Sequence, residues 1–276
     1  MKQEPELLYL DLMKKALSFT LWPEPPEPIT TRNSARSPVK RFLVSVIANI
    51  LDRRKLQIVV KRDFSESQRI NGQIWSGYAD TMIGLKRLDN LQHCIETVLS
   101  ERVEGDLIEA GVWRGGACIF MRAVLAAYGV EDRRIFVADS FEGLPKPDAE
   151  KYTADKGDTH HNLTYLAVSK EDVENNFTKY GLLDNQVVFL KGWFKDSLPQ
   201  APIEKLSILR LDCDMYGSTT ESLESLYPKL SSGGFCIIDD YALPGCKSAV
   251  NDFRSKHTID SEMREIDWTG RYWRKE

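Results

Sequence analysis

Four aspartates fall in two tight pairs, Asp212 with Asp214 and Asp239 with Asp240, each directly after a short apolar run. In an extended chain, residues i and i+2 point the same way, so Asp212 and Asp214 are expected to face one crevice. If the two runs are neighbouring strands, up to four carboxylates meet at their ends. Left uncompensated, such a group repels itself and each member's pKa rises. A hard divalent cation relieves the repulsion, and an all-oxygen donor set favours magnesium, calcium or manganese over zinc. The competing role for such acids is to cap the helices that follow, where aspartate is common. The histidines offer no rival zinc site: His160 and His161 read as a pair in a polar loop, and His93 and His257 are isolated.

A second set of residues suits a nucleoside. Glu109 sits at the tip of an apolar run and is followed by Gly111, Trp113 and the pair Gly115 and Gly116. Those glycines permit positive φ and close approach of backbone to a ligand. Thirty residues beyond Glu109, Asp139 ends the next apolar run, followed by Ser140. A carboxylate there can accept both hydroxyls of a ribose. Taken alone, the glycines also fit a tight turn with no ligand. A dinucleotide is disfavoured because the third glycine of G-x-G-x-x-G and its phosphate cradle are missing.

The elements that must position these groups are legible as alternating short strands and helices. Strands are expected at 106–110, 134–138, 187–190, 206–211 and 234–238, with helices at 81–100, 117–128 and 219–230. One more helix after Lys247 and a closing strand or hairpin around 264–273 complete the pattern. Apolar strands alternating with helices signal an α/β fold with a mostly parallel sheet covered on both faces, and ligands bind beyond the carboxyl ends of such strands. Ahead of this lies a different region. Residues 7–22 read as an amphipathic helix with Leu8, Leu12, Ala16 and Phe19 on one face. The prolines from Pro23 to Pro28 break it and are expected to run extended as a linker. A second helix is expected from Val39 to Leu51, apolar along Phe42, Val46 and Ile50, while 58–60 is too short to assign. The division is thus an N-terminal helical extension or lid with its linker, residues 1–80, and a catalytic domain, residues 81–276.

The 276 residues suffice for a core without disulfides. A net charge of -4 gives no reason to expect nucleic-acid binding. A basic stretch, Lys40-Arg41, Arg53-Arg54-Lys55 and Lys61-Arg62, reads as a solvated face. The five cysteines form no C-x-x-C pair, which fits a reducing cytoplasm. No signal-peptide pattern opens the chain and no run of 18 apolar residues occurs, so no membrane span is expected.

Read together, several segments resemble the macrocin O-methyltransferase family, which methylates hydroxyls on sugars of macrolide and aminocoumarin natural products. They are Thr81-Met82-Ile83-Gly84-Leu85-Lys86-Arg87-Leu88-Asp89-Asn90, Glu109 to Gly116, Ala138 to Pro145, Lys191-Gly192-Trp193-Phe194, Leu209 to Tyr216, and Leu226-Tyr227-Pro228-Lys229 through Asp239-Asp240-Tyr241. The resemblance implies a Rossmann-like methyltransferase fold with a seven-stranded sheet, and use of S-adenosylmethionine and Mg2+. It implies metal ligation by Asp212, Asp239 and Asp240, with Asp214 as general base. It places the cofactor against Thr81, Met82, Glu109, Gly111, Trp113, Gly115, Gly116, Asp139, Ser140, Gly192 and Trp193. The chain departs from the family pattern at Cys213, where glycine is expected, and at Gly217, where glutamate is expected.

The expected acceptor is a small molecule with a hydroxyl on a sugar; a catechol or phenol, or a binding module without catalysis, are the alternatives. Trp22, Trp75 and Tyr78 are candidates to stack on a sugar or an aromatic ring. The apolar N-terminal helix, needing somewhere to bury, suggests a homodimer.

Overall fold

The computed structural model describes residues 4–28, 38–61 and 65–276. Arg62, the end of the basic stretch, lies outside them. Seven strands form one sheet: β1 (Asp106–Ala110), β2 (Ile135–Asp139), β3 (Val187–Lys191), β4 (Leu206–Leu211), β5 (Leu230–Ile238), β6 (Arg264–Glu265) and β7 (Arg271–Arg274), in spatial order β3-β2-β1-β4-β5-β7-β6. The first five pair in parallel, and β7 runs antiparallel between β5 and β6. The expected α/β sheet is therefore present, mostly parallel, and the order reverses between β1 and β4, where open sheets of this kind bind ligands.

Side-chain alternation along the strands divides the core in two. Leu107, Ile135, Ile208 and Ile237 join one cluster, while Ile108, Phe136, Leu209 and Ile238 join the other. The first is covered by α1 (Pro5–Leu17), α4 (Leu85–Ser100), α5 (Gly116–Ala127) and α6 (Lys170–Lys179); the second by α8 (Tyr216–Leu226) and α9 (Pro244–Lys256). Strands buried on both faces are continuous apolar runs for this reason. α4 begins at Leu85, not at residue 81, because Gly84 stands in extended conformation at its start. That leaves Thr81, Met82 and Ile83 outside the helix, where they line the crevice.

The N-terminal region differs from expectation in two ways. α1 ends at Leu17, and Phe19 takes φ +57°, turning the chain so that its ring meets Trp22 and Tyr78 at 5.0 and 5.6 Å. Those two aromatics are thus committed to a local cluster, not to an acceptor. The buried face of α1 is Leu10, Met13 and Leu17, while Leu8 and Leu12 are exposed. Leucines occur all round this helix, so its own periodicity did not select a face; contact with α4 and α5 does. That face is buried within its own chain, while Leu7, Leu8 and Leu12 of the same helix remain exposed. Leu17→Ala should cost about 2–5 kcal/mol in urea unfolding, the range for emptying a buried leucine site. Leu8→Ala should change stability by less than about 0.5 kcal/mol.

α2 (Pro38–Asp52) exposes Phe42, Val46 and Ile50. The short α3 (Glu66–Ile70) and α7 (Phe194–Ser197) complete the helices. Glu27–Pro28, in the extended proline stretch, pairs antiparallel with Val59–Val60. No helix among the described residues is long and apolar enough to cross a membrane.

Candidate active site

A cavity of about 640 Å³ opens at the carboxyl ends of β1, β2, β4 and β5. At one side Asp212, Asp214 and Asp240 offer carboxylate oxygens all within 4.8 Å of one another. The convergence does not come from extended chain: β4 ends at Leu211 and Asp214 takes φ +56°, a left-handed conformation that aspartate tolerates. The Asp214 N–H then donates to the Asp240 carboxylate at 3.1 Å, tying the two strand tips together. Burial, then Asp239, raises Asp212 to about 6, and burial, then Asp212, raises Asp214 to about 7. Burial, then Asp212 and Asp214, pushes Asp240 well above the usual carboxylate range. Three close oxygen donors with this excess of negative charge fit a hard divalent cation.

Asp239 stands apart from that trio. One of its oxygens accepts from Arg87 and the other from Arg210. Arg210 also pairs with Glu109 and, at 3.1 Å, with Asp212. Arg87 reaches Asp267 at 3.0 Å. The result is a buried chain of opposite charges beneath the acidic tips. Arginine lies within β4 directly beside Glu109 of β1. An arginine and a glutamate, each set among apolar residues within its strand, were the available signal for this pair. Neither arginine was singled out from the sequence.

The same cavity is lined by most residues expected to hold a cofactor: Thr81, Met82, Glu109, Gly111, Trp113, Asp139, Ser140, Gly192 and Trp193. Asp139 accepts from the N–H groups of Val112 and Phe141 at 2.8 and 2.7 Å, fixing both loops around it. Gly111, at φ +87°, sits where any Cβ would collide with the Asp212 carbonyl, so glycine there couples the β1 turn to the acidic tip. Gly115 and Gly116 do not line the cavity. A Cβ on Gly115 would meet Val173 at 2.7 Å, and one on Gly116 would strike the Asp80 carbonyl, so their role is helix packing. Glu109 is buried, accepts from Cys118 Sγ at 2.9 Å, and is raised to about 7, chiefly by burial.

The segment 143–166 closes the far end and carried no periodicity to reveal its role. Asp155 accepts from the N–H groups of Tyr216 and Gly217 at 2.7 and 2.9 Å, capping α8 from a distance. Both departures from the family pattern are accommodated here. A Cβ on Gly217 would lie 2.6 Å from the Tyr152 ring, so that ring occupies the space a longer residue would need. Cys213 is buried, its Sγ 3.5 Å from the Ala110 carbonyl. His160 lines the cavity with Nδ1 held by Asp158 at 2.7 Å, so it is a built feature and not a free loop histidine.

A family model described as Macrocin-O-methyltransferase (TylF) matches residues 6–275. An 8-demethyl-8-(2,3-dimethoxy-alpha-L-rhamnosyl)-tetracenomycin-C 4'-O-methyltransferase of Streptomyces olivaceus is 46% identical over 275 residues, spanning 99% of this chain and 95% of its own. A mycinamicin III 3''-O-methyltransferase of Micromonospora griseorubida is 49% identical over 221 residues, 79% of this chain and 87% of its own. The solved O-methyltransferase NovP superposes with a TM-score of 0.83 at 43% identity, covering 98% of this chain and 99% of that one.

Proposed function

Because the chain belongs to the macrocin O-methyltransferase family, we propose that it transfers the methyl group of S-adenosylmethionine to a sugar hydroxyl of a glycosylated natural product, with a hard divalent cation, Mg2+, at the acidic strand tips. The observation that carries this reading is the convergence of Asp212, Asp214 and Asp240 in a cavity that the β1 and β2 turns also line. The rhamnosyl group in the name of the tetracenomycin-directed relative supports a sugar as acceptor.

Asp212, Asp240 and Asp239 would hold the cation, the last through lone pairs that its arginines leave free. Such an ion, when bound, lowers the pKa of a coordinated hydroxyl and orients it. Asp214 takes the proton: its carboxylate lies within 4.8 Å of the Asp212 and Asp240 oxygens, beside a hydroxyl held at the cation. Thr81, Met82, Trp113, Ser140, Gly192 and Trp193 enclose the cofactor, and Asp139 holds its ribose. The backbone turn at Gly111 keeps cofactor and acid cluster in register. Holding two reactants in one crevice contributes on the order of 7–11 kcal/mol. The region 1–80 acts as a cover, and the exposed apolar side of α2 supports that role. The five cysteines, all free and buried, support work in a reducing cytoplasm.

The test is a methyl-transfer assay against a panel of glycosides and catechols with S-adenosylmethionine and magnesium. Transfer to catechols alone would replace the sugar reading, and cofactor binding without transfer to any member would favour a non-catalytic module. In the same assay Asp214→Asn should lower kcat by about 10²–10⁴, the usual contribution of a general base, while calorimetric cofactor affinity stays nearly intact. Unchanged turnover would exclude Asp214 as the base. Asp139→Ala should instead weaken S-adenosylmethionine binding, by about 1–3 kcal/mol for buried hydrogen bonds left unmade. Equal calorimetric affinity would remove Asp139 from the cofactor site.

A further inference from the structure

The hairpin turn between β6 and β7 carries a tryptophan in an unusual setting. Asp267 is buried and accepts from the N–H groups of Thr269 and Gly270 at 3.0 and 2.7 Å. Thr269 Oγ1 donates to the Asp239 carbonyl at 3.0 Å and accepts from the Ala242 N–H at 3.2 Å. The Ile266 N–H closes the turn on the Gly270 carbonyl at 3.0 Å. The turn is therefore pinned directly to the tip of β5. Trp268 stands on it 51% exposed, lines the catalytic cavity, and makes no hydrogen bond through its indole N–H among the described residues. Trp273, two strand positions beyond the turn, is by contrast fully buried and donates to Tyr227.

Exposing a large indole on a turn that cannot collapse forfeits the burial such a side chain would otherwise gain. A second tryptophan on the cavity wall, Trp75, hangs from the same support. Arg87 donates Nε to Asp267, next to Trp268, and Nη2 to the Gly72 carbonyl at 3.3 Å, three residues before Trp75. Its remaining Nη1 binds Asp239. One guanidinium thus sets both tryptophan-bearing segments against the acidic tips.

We propose that Trp268 and Trp75 form an aromatic clamp that selects acceptors whose sugar is joined to a flat aromatic or apolar aglycone. The clamp rests on the methyl-transfer reading of the same cavity and specifies which acceptors that site prefers. The sugar hydroxyl lies at the carboxylates while the aglycone lies between the indoles. Stacking is tolerant of the detailed chemistry of the ring, so the clamp reads flatness and apolarity and not a hydrogen-bond pattern.

The experiment uses the full chain with S-adenosylhomocysteine and magnesium, and two probes with one sugar: methyl α-L-rhamnopyranoside and 1-naphthyl α-L-rhamnopyranoside. Calorimetry is expected to give the naphthyl glycoside at least about tenfold tighter binding. Trp268→Ala and Trp75→Ala should each bring that ratio close to one, Trp268→Phe should restore most of it, and S-adenosylhomocysteine affinity should stay unchanged as the measure of intact folding. A ratio that persists in Trp268→Ala overturns the clamp. If neither glycoside binds, the sugar reading falls, and the clamp is decided on catechol against 2,3-dihydroxynaphthalene with the same variants. It stands if the fused ring's advantage disappears in Trp268→Ala and is overturned if that advantage persists.

Discussion

Methyl transfer is expected to fall at least about a thousandfold when divalent cations are stripped with EDTA, and to return when magnesium is restored. The size follows from the mismatch between the groups. A bare hydroxyl near the pKa of water, about 15.7, is a poor proton donor to a carboxylate, and metal coordination is the means of closing such a gap. The same ion should stabilise the fold. At about 100 times its Kd, a ligand that binds only the native state adds about 2.7 kcal/mol, or roughly 5–10 °C in Tm for a chain of this size. Its pH dependence has a definite sign. Asp212 and Asp214 are raised in the folded state, to about 6 and about 7, from an ordinary value of 3.8. Between those limits the native protein holds more protons than the unfolded chain, so the metal-free protein loses stability as pH climbs from about 4 to about 7. Below that window the carboxyls are neutral in both states and the penalty is absent. Magnesium should therefore raise Tm most above pH 7 and little near pH 5. Turnover that survives chelation, or an equal Tm shift at both pH values, would remove the cation from this site. Asp212→Asn should also weaken magnesium binding strongly, whereas Asp214→Asn should leave it largely in place, which separates ligand from base.

The parts of the molecule that obey a period were legible from sequence. β1 to β5 are short apolar runs because both faces of the sheet are covered, and the acids that follow them stand at strand tips because parallel strands end on one side. The pairing of Asp212 with Asp214 was anticipated for the wrong reason: the strand ends at Leu211, and the trio forms through the left-handed Asp214 and its bond to Asp240. The glycine turn likewise divides by contact. Gly111 serves the site, whereas Gly115 and Gly116 serve helix packing, and only the position of α6 and of Asp80 distinguishes them. The segment 143–166 has no hydrophobic period, since it is fixed by single polar contacts such as Asp155 on the start of α8. Trp22 and Tyr78 were drawn away from the cavity by Phe19, a contact no linear spacing encodes.

Removing the positive charge from β4 is expected to cost more than any single change in the acidic tips. Arg210 is almost wholly buried and contacts Glu109, Asp239 and Asp212. Deleting one partner of a buried ion pair costs about 3–5 kcal/mol, because the remaining charge is left in a poor medium without compensation. Arg210→Met removes the cationic partner of Glu109 and Asp212 and leaves Asp239 to Arg87 alone, so the loss in urea unfolding at pH 7 should reach at least that range. Adding Glu109→Gln should recover part of it, giving a coupling energy of about 0.5–3 kcal/mol for residues that act as a unit. Strict additivity, or a loss below about 1 kcal/mol, would mean the two strands tolerate these charges independently. The charge count explains why the network persists. Among the described residues, the salt-bridge partners of Glu109, Asp212, Asp239 and Asp267 at this end of the sheet are Arg87 and Arg210, and Asp214 has the additional favourable influence of His160. The arginines neutralise the inner acids and leave Asp212, Asp214 and Asp240 in excess at the cavity wall. A third arginine there would satisfy the fold and abolish the cation site, so the incomplete neutralisation is what the proposed chemistry requires.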